Sequence, residues 1–145
     1  MKIHLFNAQS ELPISSPYWT RLCKEVAAFE KEVFEEFSLH FVDLKEISRL
    51  HALYFEDPTP TDCISFPCDE PAAPYRVLGD VFVCPAVAID YAALCRKNPL
   101  KETALYVVHG LLHLFGYDDI KANERQSMRA AERRHLAHLA KQGFF

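Results

Sequence analysis

The chain has 145 residues, half of them hydrophobic, and a formal net charge of −4 at pH 7, so it is expected to fold as one globular domain, residues 1–145. No apolar run approaches the roughly 18 residues of a membrane span and the N-terminus lacks a secretory signal pattern, which argues against a membrane protein and predicts a cytoplasmic one. The five cysteines form an odd set without a Cys-x-x-Cys pair, so neither a disulfide framework nor a thiolate zinc site is predicted.

The first part of the chain predicts strands and helices in alternation. Residues 2–8 and 37–42 alternate apolar and polar side chains, as half-buried strands do. Ser16 and Pro17 mark a helix start between them, because Ser caps the first amides and Pro is favoured at the first helical position. Asp43 caps a second, shorter helix. The residues predicted to face the core are Trp19, Leu22, Val26, Phe29 and Val33 in the first helix and Ile47, Leu50, Leu53 and Tyr54 in the second.

The middle of the chain is predicted to hold two strands joined by an irregular segment. Two prolines within residues 56–61 end the second helix, and a short strand follows at residues 63–66. Residues 68–75 are expected to form a flexible connection to a strand at residues 77–83. Asp80 is a polar residue in that apolar strand, so it needs a partner, either a metal-ligating side chain that it orients or a backbone amide.

The last part of the chain is predicted to be mostly helical. Helices are expected over residues 85–97, from Asn98 onward, and over residues 123–141. The last helix carries Met128, Ala131, His135, Leu136 and Leu139 on its core side and Arg125, Arg129, Arg133 and Arg134 on its outer sides. The whole pattern predicts a compact α+β domain with a mixed sheet of about four strands and about five helices packed over it.

Two histidines interrupt the apolar helix that begins at Asn98 and Pro99. His109 and His113 lie four residues apart, which puts both imidazoles on one helix face about 5–6 Å from each other. Gly116 is expected to end the helix, because Gly adopts the left-handed conformation without steric penalty. Two ring nitrogens on one face can bind one metal ion, whereas burying two imidazoles without partners would cost free energy.

A third metal ligand follows the predicted turn. The turn after the helix directs Asp119 toward the face that carries His109 and His113, so a carboxylate oxygen can complete a three-ligand site with a fourth position open for water. This arrangement predicts a catalytic type of metal site, and Zn²⁺ is the expected ion. Bound zinc lowers the pKa of its water toward neutrality and acts as a Lewis acid on a phosphoryl or carbonyl oxygen.

Two other classes of metalloenzyme fit the ligand spacing less well. The pattern H-x3-H-x5-D matches the frame of the metzincin proteases, but Gly110 stands where those enzymes need a glutamate as general base, so a protease is the least favoured reading. Two histidines and one carboxylate also form the facial triad of non-haem Fe(II) oxygenases. Nothing in the chain predicts the many-stranded barrel that such oxygenases use.

The segment HGLLHLFGYDD, residues 109–119, resembles the signature H-G-x-L-H-L-x-G-Y-D-H of the YbeY family, bacterial single-strand-specific metallo-endoribonucleases of ribosomal RNA maturation and ribosome quality control. A second family pattern, a Tyr-Arg pair followed by Pro-Thr-x-x-x-Ser-Phe-Pro, corresponds to residues 54–55 and 60–67. Residues 78–80 match the Leu-Gly-Asp of the family's Leu-Gly-Asp-Ile element. The resemblance therefore covers residues 50–119 in family order and spacing.

The resemblance implies an activity and partners. It implies zinc-dependent cleavage of single-stranded RNA, with ribosomal RNA, including the 3′ end of the small-subunit RNA, and the ribosome as partners, and it implies the same α+β fold. In the family, the strand with Ser65 runs along the substrate cleft, so Thr61 and Ser65 offer hydroxyls to phosphate, or they cap the loop and strand. Asp118 either orients an imidazole or serves as a turn residue. The predicted catalytic residues are Ser65 and Asp118.

Two positions depart from the family pattern. Asp119 replaces the usual third histidine, which keeps a zinc donor but adds a negative charge. Phe55 stands where the family has an arginine of the active cleft, so Arg49 or Arg76 would have to take over if that arginine binds phosphate. A second hypothesis follows, in which the protein is a ribosome-associated RNA-binding factor with a structural metal and weak or no nuclease activity.

Charge is unevenly distributed along the chain. Residues 1–95 carry seven Lys or Arg against fifteen Asp or Glu, net −8, whereas residues 96–145 carry nine against five, net +4. The overall negative charge argues mildly against a nucleic-acid protein. The basic second half, which also holds the metal ligands, predicts an RNA-facing surface beside the metal and suits a transient nuclease better than a tight binder.

Overall fold

Strands and helices alternate in the computed structural model, which describes residues 1–68 and 74–145. Within these residues there are four strands and five helices. In chain order they are β1 Lys2–Ala8, α1 Ser16–Phe29, β2 Glu36–Val42, α2 Leu44–Phe55, β3 Cys63–Pro67, β4 Val77–Val83, α3 Pro85–Cys95, α4 Pro99–Leu114 and α5 Ala122–Lys141. The predicted α+β domain with a mixed sheet is confirmed.

The four strands form one sheet in the order β1-β2-β4-β3. β1 pairs with β2 and β2 with β4 in parallel, whereas β3 runs antiparallel to β4, with Cys63 opposite Val83 and Pro67 opposite Gly79. β3 is therefore an edge strand, and α4, which carries the two histidines, packs against it. Residues of β3 and α4 line one cavity together.

The sheet separates two hydrophobic clusters. On one face, Phe37, Leu39 and Val81 pack against α1, α4 and α5, and most of α4 is buried there. On the other face, Ile47 and Leu50 of α2 pack in a smaller cluster with residues of β2, β3 and the start of α3. Because α4 is covered on most of its surface, its histidines sit on a rigid element.

The ends of α4 follow the local rules. The Asn98 side chain accepts a hydrogen bond from the Leu100 amide at 2.9 Å, which confirms the predicted cap. α4 ends at Leu114, and Gly116 has a φ of +107°, a conformation that favours glycine. The Tyr117 amide donates back to the Leu112 carbonyl at 2.9 Å, as in a Schellman motif. This motif sets the path of the residues that follow it.

Some predicted buried positions are exposed. α1 ends at Phe29 and Lys31 adopts a positive φ of 58°, so Val33 lies outside the helix and is 74% exposed. In α2, Leu53 and Tyr54 are 62% and 58% exposed. The helical spacing predicted both as core, but only Ile47 and Leu50 reach the small cluster, and the last turn of α2 extends past it.

Other predicted boundaries and contacts also differ. α3 ends at Cys95 instead of residue 97, because Arg96 takes a left-handed φ of 54° and the chain turns there. Asp80 bonds to the ring of His40 at 2.8 Å, so its partner is neither a predicted metal ligand nor a backbone amide. Of the predicted flexible connection 68–75, residues 69–73 lie outside the described residues. Among the helices that are described, none is both long and apolar enough to cross a membrane.

Candidate metal centre

The C-terminal half of α4 presents two imidazoles to one space. The Nε2 atoms of His109 and His113 lie 3.1 Å apart, and the two rings are nearly perpendicular, with an interplanar angle of 83°. The four-residue spacing on a regular helix accounts for this approach. Both side chains are partly exposed, so the nitrogens face a cavity and not the core.

Asp119 comes to the same space through the turn at Gly116. Its Oδ2 lies 3.5 Å from Nε2 of His109 and 3.4 Å from Nε2 of His113. Two ligands that share a tetrahedral zinc at about 2.0–2.1 Å lie about 3.3–3.4 Å apart. The three separations therefore fit a single small divalent cation, and these residues form a group able to hold a metal.

The outer nitrogens of both rings are already engaged. Nδ1 of His113 lies 3.0 Å from the Tyr117 carbonyl, and Nδ1 of His109 lies 2.6 Å from a carboxylate oxygen of Glu132. A carbonyl and an ionised carboxylate only accept hydrogen bonds, so Nδ1 carries the proton in each neutral ring and Nε2 keeps its lone pair. Three acceptor atoms thus face one another, an arrangement that a cation stabilises and that would otherwise be repulsive.

Glu132 is a site residue that the sequence analysis missed. It is buried, and Arg129 donates to both of its oxygens, at 2.7 and 3.1 Å. Burial opposes its ionisation, but hydrogen bonds from His109 and Arg129 outweigh that effect and hold the pKa of Glu132 below its ordinary value. An ionised carboxylate behind a ligating histidine fixes the ring and raises its basicity. The available signal was an acidic residue on the core side of the last helix.

Gly110, directly after the first ligand, lies where α4 packs closely on the sheet. A Cβ at this position would come within 2.5 Å of Cγ1 of Val81 and 2.9 Å of the Cys63 sulfur. No larger side chain fits without movement of β3 or β4. Packing therefore explains the glycine, and it keeps away the glutamate that a metzincin protease would place here.

The three candidate ligands, His109, His113 and Asp119, are called the metal group below. They line a cavity of about 460 Å³ between α4, β3 and the end of α2, called the metal cavity below. Ser65 and Asp118 both line it. The Ser65 hydroxyl donates to the Gly110 carbonyl at 3.1 Å, so its single proton ties β3 to α4. Asp118 is exposed, and the hydrogen bonds that orient the imidazoles come from Glu132 and the Tyr117 carbonyl instead. The catalytic roles of Ser65 and Asp118 stay predictions.

The cations proposed to replace the family arginine do not line this cavity. Arg49 is bound to Glu46, and Arg76 to Glu32. Arg129, in contrast, lines a second cavity together with His109 and Asp119. It also lines a groove on α5 with two other arginines, Arg125 and Arg133, and this groove has no acidic residue in its lining. The basic surface beside the candidate metal ligands is therefore on α5.

Comparisons with known proteins agree with this geometry. The model of the family described as Endoribonuclease YbeY matches residues 4–140. The chain is 47% identical to the Endoribonuclease YbeY of Protochlamydia amoebophila over 96% of its own length and 93% of that protein's, and 33% identical to that of Chlamydia pneumoniae over 97% and 92%.

A solved structure supports the fold alone. A solution structure from Thermotoga maritima covers 98% of this chain and 94% of its own, with a TM-score of 0.66 and 21% identity. The family model and the curated relatives span nearly the whole chain, including the helix and the turn that carry the three candidate ligands. The protein therefore belongs to the YbeY endoribonuclease family.

Proposed function

We propose that the chain, residues 1–145, acts as one zinc-dependent endoribonuclease domain that cleaves single-stranded RNA. Its substrates are ribosomal RNA, including the 3′ end of the small-subunit RNA, and its setting is ribosome maturation and quality control in the cytoplasm. The names of the relatives in the family support the nuclease activity. The donor set of two imidazoles and one carboxylate supports zinc.

One observation carries the proposal. Three lone-pair-bearing atoms, from His109, His113 and Asp119, lie 3.1–3.5 Å from one another at the wall of an open cavity. A structural zinc site is normally closed by four protein ligands, whereas a catalytic site keeps a position for water or substrate. Three ligands beside an accessible cavity are the catalytic arrangement.

The residues of the chain supply orientation and charge. A zinc ion held there would provide Lewis acidity toward a phosphoryl oxygen and a bound water of nearly neutral pKa. Glu132 holds His109 in the tautomer that leaves Nε2 free, and the Tyr117 carbonyl does the same for His113. Arg129 uses one guanidinium nitrogen on Glu132, which leaves its other donors for a phosphate of the RNA.

The metal and the cleavage are tested together by His113→Ala. We expect the variant to lose stoichiometric zinc and at least about a hundredfold of RNA cleavage, because one of three protein ligands is removed. Elemental analysis and cleavage of a labelled single-stranded ribosomal RNA fragment measure the two effects. His138→Ala is the matched control, since His138 also lies on a helix but binds Glu25. Full cleavage by a metal-free variant would refute the proposal.

A second candidate function is an RNA-binding factor with a structural metal. The observation in its favour is Phe55, which places a ring without charge at the metal cavity where the family has an arginine. Phe55→Arg distinguishes the two functions. A gain in kcat of tenfold or more would show that the native chain cleaves RNA inefficiently because it lacks the arginine, which favours the binding factor. An unchanged or lower kcat favours the nuclease.

A further inference from the structure

The metal cavity has an aromatic side at the end of α2. The rings of Phe55 and His51 both line the cavity, and their centroids lie 5.6 Å apart. His51 is held by a 2.8 Å hydrogen bond between its Nδ1 and the Thr59 carbonyl. Phe55 is 54% exposed although it belongs to a well-formed helix. The Phe55 ring therefore lines the metal cavity, and other residues of the chain cover only about half of it.

Leu53 and Tyr54, the residues just before Phe55 in α2, do not line the metal cavity. Consecutive helical residues point about 100° apart, so Leu53, Tyr54 and Phe55 do not form one apolar patch. Tyr54 packs edge-on against Phe66, with centroids 4.8 Å apart, and neither Tyr54 nor Leu53 lines the metal cavity. In the part of the chain that the structure describes, the only ring near Phe55 is His51. Phe55 therefore has a face available to a ligand in the cavity.

A nucleobase is the ligand that this surface fits. In single-strand binding, bases stack on exposed aromatic rings beside a basic surface that follows the phosphates. Here the exposed ring lines one cavity and Arg129 lines another, and His109 and Asp119 line both cavities. A base in a duplex is already stacked and paired, so only an unpaired nucleotide can use the ring.

We propose that Phe55 is a base-stacking residue that binds an unpaired base of the RNA next to the phosphate at the metal. The inference rests on the proposed function and deepens it, because it names a source of single-strand selectivity. The exchange of the family arginine for phenylalanine replaces a charge contact with the phosphate by a stacking contact with the base. The charge contact is supplied from α5 instead.

The test compares variants of Phe55 on one short fluorescein-labelled single-stranded RNA. Phe55→Ala should weaken binding by roughly 5- to 150-fold, the range for loss of one stacked base, and should raise KM more than it lowers kcat. Phe55→Trp should restore binding, and Phe55→Leu should not, because leucine is apolar but has no flat ring. Leu53→Ala is the matched control, since Leu53 is exposed on the same helix turn outside the cavity. Fluorescence anisotropy with zinc-loaded protein and a nuclease-resistant 2′-O-methyl phosphorothioate version of the RNA measures binding without cleavage.

An RNA with one abasic nucleotide, placed at each position in turn, completes the test. At one position the abasic RNA should bind the native protein as weakly as Phe55→Ala binds the intact RNA, and it should lose little more with that variant. Equal binding by Phe55→Leu and the native protein would overturn stacking. Equal loss in Leu53→Ala would also overturn it, because the whole end of α2 would then be a general apolar docking surface.

The outcomes separate this inference from the proposed function. Native protein that cleaves RNA, with Phe55→Ala that binds and cleaves equally well, overturns the stacking role alone. Native protein that binds RNA through Phe55 but does not cleave it overturns the nuclease alone. Native protein that neither binds nor cleaves the RNA overturns both.

Discussion

Of the histidine–glutamate pairs that involve α5, two also include an arginine, and these two groups differ in their surroundings. In the first, His109 binds Glu132 at 2.6 Å and Arg129 is attached to the glutamate. In the second, His135 binds Glu30 at 2.8 Å and Arg134 lies 4.0 Å from that glutamate. The two groups contain the same three residue types, although Arg134 lies farther from its glutamate than Arg129 does, and only the first group adjoins the candidate metal ligands.

The second nitrogen of each ring makes the difference. Nε2 of His109 faces the cavity beside His113 and Asp119, where a cation can reach it. The His135 ring is fully buried, and its Nδ1 has no hydrogen-bond partner within residues 1–68 and 74–145. A carboxylate thus orients an imidazole in both places, but the orientation serves a metal only where the remaining nitrogen opens onto a shared space.

The largest difference between the two groups is expected in zinc affinity, when either Glu132 or Glu30 is replaced by neutral glutamine. Glu132→Gln should weaken zinc affinity by about 10- to 100-fold, because a neutral amide supports His109 less well than a carboxylate does. Glu30→Gln should leave zinc affinity within about twofold of the native value. Competition with a chelator of known affinity measures both variants. Equal zinc affinity of the two variants would contradict the assignment of Glu132 to the metal centre.

The buried pair of His135 and Glu30 is expected to affect the pH dependence of the free energy of unfolding and not the zinc affinity. Burial lowers the pKa of His135, although Glu30 opposes this, and Arg134 and His138 add to the lowering. As the pH falls below about 6.5, the unfolded chain binds a proton that the folded chain resists, so the free energy of unfolding decreases, by at most about 1.4 kcal/mol per pH unit for one proton. His135→Gln should make this decrease shallower. Urea unfolding between pH 7.5 and 5.5 measures it, and an identical slope in both proteins would contradict it.

The smallest difference is expected in the salt dependence of RNA binding, when either Arg129 or Arg134 is replaced. Arg129→Gln should lower the salt dependence of RNA binding, reducing the slope of log affinity against log salt concentration by about 0.7, the value for one single-strand phosphate contact. Arg134→Gln should leave the slope unchanged, because Arg134 lines neither cavity at the metal group. Anisotropy titrations at several salt concentrations compare the variants. A similar reduction in both would mean that the basic charge of α5 acts only as a whole.

Local sequence determined the helix ends and the spacing of the candidate ligands in this protein. The Asn-Pro start of α4, the four-residue histidine spacing and the glycine after Leu114 act over a few residues, so the three proposed ligands could be predicted before any tertiary contact was known. The α+β class with a mixed sheet was predicted from the interleaving of strand and helix patterns along the chain, and the family resemblance implied the same. The zinc and the catalytic roles of Ser65 and Asp118 remain predictions.

Tertiary packing alone decided the surroundings of the ligands. Glu132 lies 23 residues from His109, and they meet only because α5 packs on α4 at a particular position. The exposure of Tyr54 and the place of Phe55 in the cavity depend on how far α2 extends beyond the cluster beneath it. Helical periodicity states which residues share a face, but which faces meet, and where they stop meeting, is set by the summed packing of the whole domain.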